Sequence, residues 1–185
     1  LRDKFGNTIE AEIIDLPGTY SLYPKSPEER IPFQLLCDPQ NEAHPDLTIV
    51  VADGANLKRN LFLASQLVDL KIPVVLVINM MDIVRFKKIN INFEKLSVRL
   101  GVPIVSMNAR KQEGLKELKE AIAKPFSPPA NDFIDIRPFA PEVIDTIRQT
   151  VNVNSNYNAF LVANNLDLIS NFEIPEFKKE KIRAV

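Results

Sequence analysis

Two unbroken apolar runs, Leu47 to Ala52 and Val74 to Ile78, constrain the fold of this chain more than any other feature. Both are rich in valine and isoleucine and bounded by polar residues, which suits strands buried on both faces of a parallel sheet. Between them Leu57, Leu61, Ala64, Leu67 and Val68 fall on one stripe at helical spacing, with Asn56 placed to cap the helix, so the segment reads as a βαβ unit. The alternation continues. Phe93 to Leu100 is a second amphipathic helix stopped by Gly101, Val102 to Met107 a further strand, and Gly114 to Ala123 a third helix with Leu115, Leu118 and Ile122 on one face. This order predicts an α/β fold with a doubly wound, mostly parallel sheet.

Upstream, Leu1 to Phe5, a Gly6-Asn7 turn and Ile9 to Asp15 read as a hairpin, Ile9, Ala11 and Ile13 alternating with Glu10 and Glu12. From Leu16 to Asp46 the prolines at 17, 24, 27, 32, 39 and 45 argue for a long loop, with room for a short helix around Phe33 to Leu36. Pro125, Pro128, Pro129 and Pro138 mark a linker, dividing the chain into residues 1–124, a Pro-rich stretch 125–138 and a helical domain 139–185. In the last, Val143, Ile144, Ile147 and Val151 give one helical stripe, and Phe160, Leu161, Ala163, Asn164, Leu168 and Ile169 a second.

Charge narrows the function classes. With 23 basic and 24 acidic residues the formal net charge is -1, so nothing signals a nucleic-acid partner. The longest apolar stretch, Ile72 to Met81, is half the roughly 20 residues of a membrane-spanning helix, so these residues are expected to be soluble. A first residue that is Leu, without a signal-peptide pattern, suggests a piece of something longer. The single Cys37 fits a reducing compartment and reads as a small buried hydrophobe. Cys37 and His44, seven apart, are too few for an iron site. Lys58, Arg59, Arg85, Lys87 and Lys88 read as solvated faces.

Three short patterns lie at predicted strand ends, where open α/β sheets bind ligands. Asp15-x-x-Gly18 is one: in switch-type nucleoside triphosphatases such a carboxylate holds Mg2+ through water, and the glycine N–H meets the γ-phosphate. Asn79-Met80-Met81-Asp82 is the second, where the Asp82 carboxylate can accept the ring N–H and the exocyclic amine of guanine together, a donor pair adenine lacks on that edge. Ser106-Met107-Asn108-Ala109-Arg110 is the third, with Ala109 small enough to let a backbone N–H approach the guanine carbonyl. Each has an ordinary reading too: turn chemistry for Asp15 and Gly18, helix capping for Asn79 and Asp82, and plain loop for the last. Their common order carries more weight than any one of them.

That order resembles the GTP-binding domains of the small-GTPase superfamily. The five glycines, at 6, 18, 54, 101 and 114, provide no Gly-x4-Gly-Lys-Ser/Thr loop, so the phosphate-binding loop is expected upstream of Leu1 and nucleotide affinity of these residues alone is expected to be weak. The runs Asp15 to Leu22 (DLPGTYSL), Ser26 to Glu29, Asn56 to Leu61 (NLKRNL) and Ile72 to Asp82 (IPVVLVINMMD) narrow the resemblance to the ferrous-iron transport protein B family, over about Leu1 to Ala123. The resemblance implies a GTP/GDP- and Mg2+-binding module, slow GTP hydrolysis in the complete protein, a following helical domain, and an adjoining membrane domain that moves iron(II) across the inner membrane from its cytoplasmic face. Iron is then cargo of the parent and not bound here, and homo-oligomerisation is compatible with the pattern. Met80 stands where the superfamily usually has Lys, and Thr19 where a water-orienting Gln is frequent, which leaves Thr19 as the catalytic candidate. Two other readings stay open: a soluble ribosome- or RNA-associated GTPase, and a non-catalytic folded scaffold.

Overall fold

The computed structural model of the chain describes residues 10–38, 41–130, 132–168, 179, 180 and 182. In chain order the elements are α1 (Pro27–Cys37), β1 (Thr48–Asp53), α2 (Leu57–Asp69), β2 (Val74–Asn79), α3 (Met81–Phe86), α4 (Phe93–Leu100), β3 (Ile104–Ser106), α5 (Leu115–Ile122), α6 (Pro141–Thr150) and α7 (Asn156–Asn164). They fall into two compact units: Leu1–Asp15, Asp46–Val68 and Ile72–Asn131 make the first, and Leu16–Pro45, Asp69–Lys71 and Asp132–Val185 the second.

The first unit is built on a parallel sheet of order β1-β2-β3. Val74 to Ile78 of β2 are buried on both faces, as their unbroken apolarity requires. One face gathers Val75, Val77 and Val105 under Leu118 and Ala121 of α5. Register pairs Ile49 with Val75 and Val51 with Val77, so the β1 side chains share that face, yet Val51 is 61% exposed where the cover stops. Val50 and Ala52 point the other way and are buried. Each large apolar side chain buried here contributes about 1.5–3 kcal/mol.

Two helix ends in this unit are set by left-handed residues. Gly101 closes α4 at φ 69°, the expected stop. At the end of α3, Ile89 N–H reaches the Val84 carbonyl at 3.0 Å and Lys88 N–H the Arg85 carbonyl at 3.1 Å, the paired bonds of a Schellman turn, with Lys88 at φ 52° in the position glycine prefers. Lys88→Gly is therefore expected to stabilise the chain by about 0.5–1 kcal/mol, read as a higher urea midpoint at unchanged slope.

The structure departs from the sequence reading at four places. Residues 10–15 form no strand: Ile13 is 86% exposed, and no strand among the described residues pairs with them, so the alternation of Ala11 and Ile13 has no ladder to join. The rest of the expected hairpin lies outside the described residues. Leu16 to Asp46 is not all loop, because α1 runs for 11 residues. Ser26 caps it by accepting the Glu29 N–H at 3.3 Å, the Glu29 carboxylate accepts the Lys25 N–H at 2.7 Å, and Pro27 sits in the first turn, where its missing N–H costs nothing. Only Pro32 removes an interior bond, and it is buried with Phe33, Leu36 and Cys37. Asn56 is not the cap of α2; it belongs to a 3-10 turn, Gly54–Asn56, capped by Asp53, whose Oδ1 accepts the Ala55 N–H at 2.8 Å. Finally, α3 is an additional helix.

In the second unit α6 and α7 pack on one another through Ile144 and Ile147 against a buried set that includes Tyr157, Leu161 and Val162, and α1 lies against α7. Ser155 caps α7 by accepting the Asn158 N–H at 3.0 Å, which starts that helix earlier than its apolar stripe suggests. Gln34 Nε2 donates to the Leu168 carbonyl at 2.6 Å. Burial at the end of α1, with Asp38 beside it, raises the Cys37 thiol well above its usual range, which leaves it an inert hydrophobe.

Asp69 is also buried, and its Oδ1 accepts the Phe133 N–H at 2.6 Å beside a 2.6 Å ion pair of Lys71 with Asp132. Loss of solvation outweighs the bond from Phe133 and raises its carboxyl above the usual value. The folded state thus holds this proton more tightly than the unfolded chain, and stability falls as pH rises from the usual carboxylate pKa through the raised one. Asp69→Asn, which keeps an acceptor oxygen, is expected to flatten that part of the stability–pH curve in urea titrations. An unchanged slope would count against it.

Candidate functional site

The carboxyl ends of β2 and β3 lie side by side, and backbone bonds continue past the strands to lace their loops together. Met107 N–H donates to the Ile78 carbonyl at 2.8 Å, and Met81 N–H to the Met107 carbonyl at 3.3 Å. One side chain then crosses between the loops: Asn79 Oδ1 accepts the Ala109 N–H at 3.0 Å. Asn79, Met80, Asp82, Ser106, Asn108, Ala109 and Arg110 are thereby brought to one rim of the sheet.

Each piece has a local cause. Met80 adopts the left-handed conformation, φ 60°, which turns the chain sharply from β2 into α3 and leaves its side chain partly exposed. Asp82 sits in the first turn of α3, where the helix dipole favours a carboxylate; it is exposed, with no hydrogen-bond or ion-pair partner among the described residues. Asn108 is turned inward at 3% exposure. Its backbone exchanges two bonds with Glu113, at 3.0 and 3.2 Å, closing the 108–113 loop, while Oδ1 accepts the Lys111 N–H at 3.4 Å and Nδ2 has no partner among the described residues. Gly114, φ 85°, follows directly, and a Cβ there would collide with the Ser106 carbonyl oxygen. Arg85 and Glu113 form a 3.4 Å exposed ion pair that braces α3 against this loop. Spacing gave no signal for that brace, nor for the Asn79 bond.

A planar ring bearing adjacent N–H donors fits the arrangement, because Asp82 offers an unengaged acceptor at an exposed rim. The Ala109 N–H is engaged by Asn79, so Asn79 acts by fixing the loop. Ser106 and Arg110 are exposed at the same rim.

Asp15 and Gly18 lie in a stretch without regular structure, both exposed, with open space around the Gly18 Cα. The Thr19 hydroxyl is committed to a local turn, donating to the Ser21 carbonyl at 2.7 Å and accepting the Ser21 N–H at 3.2 Å. Among the described residues no three His, Cys, Asp or Glu side chains converge, so protein side chains alone do not make a metal cage. No helix among them is long and apolar enough to cross a membrane.

A parallel sheet flanked by helices, with strand-end loops of this kind, defines the P-loop GTPase class of fold. It is shared with a point mutant of S. thermophilus NFeoB solved with GDP (TM-score 0.74, 30% identity, 92% of this chain and 67% of that one) and with the cytosolic domain of T. maritima FeoB in its GMPPNP form (TM-score 0.67, 26% identity, 92% and 71%). The profile described as ferrous iron transport protein B matches residues 3–122, and the chain belongs to that family. Curated relatives include the Fe(2+) transport protein A/Fe(2+) transporter FeoB fusion protein of Porphyromonas gingivalis, 45% identical over 60% of this chain and 13% of the relative. The Fe(2+) transporter FeoB of Salmonella typhimurium is 37% identical over 71% of this chain and 17% of its own length. The chain thus spans less than a fifth of either relative.

Proposed function

We propose that this chain is part of the GTP-binding module of an Fe(2+) transporter. The observation that carries the reading is the laced pair of strand-end loops: an unengaged Asp82 carboxylate beside a loop fixed by the Asn79–Ala109 bond. Asp82 selects guanine through its ring N–H and exocyclic amine, Asn79 holds the second loop in place, and Met80 covers the base where it emerges from β2. Asn108 anchors that loop from below. Relatives named as Fe(2+) transporters and neighbours solved with GDP or GMPPNP support the assignment.

No Gly-x4-Gly-Lys-Ser/Thr sequence occurs in these residues, so in this reading the phosphates are held mainly by chain outside them. Mg2+ would be bound chiefly by phosphate oxygens and water, with Asp15 reaching it through water, in keeping with the reluctance of that ion to shed its hydration shell. Gly18 would meet the γ-phosphate. A Thr19 hydroxyl occupied by Ser21 is poorly disposed to orient water, which fits slow hydrolysis. The parent would place the module at the cytoplasmic face of the inner membrane, beside the domain that carries iron(II). Balanced charge disfavours the RNA-associated alternative.

Titration with fluorescent GDP tests this. A polypeptide extended to include the parent's phosphate-binding loop should bind it, with displacement by GTP and not by ATP, and the 185-residue chain should bind much more weakly. Displacement by ATP as readily as by GTP would overturn the assignment.

A further inference from the structure

The C-terminal tip of α3, one turn beyond Asp82, spends residues in a way the fold does not need. Phe86 is 86% exposed at the end of a helix, and the residues around it are Arg85, Lys87 and Lys88. Nothing in the packing requires an aromatic ring there. Lys88 holds the left-handed corner of the Schellman turn, a position where glycine is the less strained choice. A local rule broken without a packing gain is where function is to be sought. Arg85 shares its charge with Glu113 at 3.4 Å, and the nearest acid on the same helix is Asp82, one turn back. Lys87 and Lys88 are exposed and have no ion-pair partner among the described residues.

We propose that the Arg85–Lys88 tip docks on an anionic lipid surface, with the Phe86 ring entering the headgroup layer and Lys87 and Lys88 lying against lipid phosphates. The chemistry is complementary: an aromatic ring partitions to the membrane interface, and each nearby lysine adds attraction to an anionic leaflet that salt screens. A single ring and two lysines make a weak contact, suited to a module held beside a bilayer by other parts of its parent and able to let go. The inference deepens the reading of a transporter module. Its test involves no nucleotide, so the two can fail separately.

The chain contains no tryptophan, so Phe86→Trp places a single reporter at the tip. Its emission should shift to the blue on adding vesicles of phosphatidylcholine with about a third phosphatidylglycerol at millimolar lipid, and should stay put with phosphatidylcholine alone. Raising salt from about 0.05 to 0.5 M should reverse most of the shift. In co-sedimentation at the same lipid, Phe86→Ser and the Lys87→Glu/Lys88→Glu pair should each pellet at least fivefold less than the parent chain, with unaltered circular dichroism. No shift with anionic vesicles, a shift equal on neutral ones, or Phe86→Ser pelleting like the parent chain would each overturn the proposal. The last result would instead point to general charge attraction.

Discussion

Exchanging Asp82 for asparagine is expected to turn base preference from guanine to xanthine nucleotides by about a hundredfold, in a polypeptide that also carries the phosphate-binding loop. The carboxylate is exposed in the first turn of α3 with no partner among the described residues, so its acceptor oxygens are available to a ligand. Guanine presents a ring N–H and an exocyclic amine to it. An asparagine amide offers one oxygen and one NH2, so the NH2 faces the amine of guanine donor to donor, while in xanthine a carbonyl replaces that amine and accepts. A charge-assisted hydrogen bond contributes about 1.5–3 kcal/mol, and leaving a donor unpaired adds to its loss. Competition of GDP and XDP against a fluorescent nucleotide measures the ratio directly; a ratio unmoved by the substitution would remove Asp82 from the base site. The fold should survive, since the exposed side chain bonds to none of the described residues.

Gly114→Ala acts on the same site through the backbone. At φ 85° an alanine is strained by about 1–2 kcal/mol, and its Cβ would meet the Ser106 carbonyl oxygen, a backbone atom at the end of β3 that has no rotamer to yield. Either β3 or the 108–113 loop must move. The second route is cheaper, because Asn108 and Glu113 hold the loop by two bonds and one exposed ion pair. Total destabilisation of about 2–4 kcal/mol is expected in urea unfolding, with guanine nucleotide affinity falling at least tenfold as Ala109 leaves Asn79. Retention of both would show that the close approach of Gly114 to β3 is unimportant.

The contrast between these two residues shows how far the sequence could be read. The place of Asp82 just past a strand end is legible in the sequence, because Val74 to Ile78 announce the strand. α4 was legible for a related reason: its stripe and its Gly101 stop are local. The α1 helix is obscured in the sequence because proline ordinarily breaks helices, although Pro27 stands where a helix accepts one and Ser26 to Glu29 form the cap. At six residues, with Met80 as its N-cap and no side-chain hydrogen bond to start it, α3 gave too short a stripe to register. Residues 10–15 misled in the opposite direction, since alternation shows only that a segment could be a strand; pairing decides, and that information lies elsewhere in the chain. Within the site, the engagement of Ala109 by Asn79, 30 residues away, is tertiary and has no local signature.

The uncovered side of β1 has a practical consequence. Ile49 and Val51 stand open on one face, and the outer ladder groups of the strand pair with no other strand among the described residues. Such a border is a template for any extended chain that meets it, including a second copy of itself. Prepared alone and concentrated, these 185 residues should stick to one another along that seam, so light scattering ought to rise with concentration and fall when Val51 is replaced by lysine.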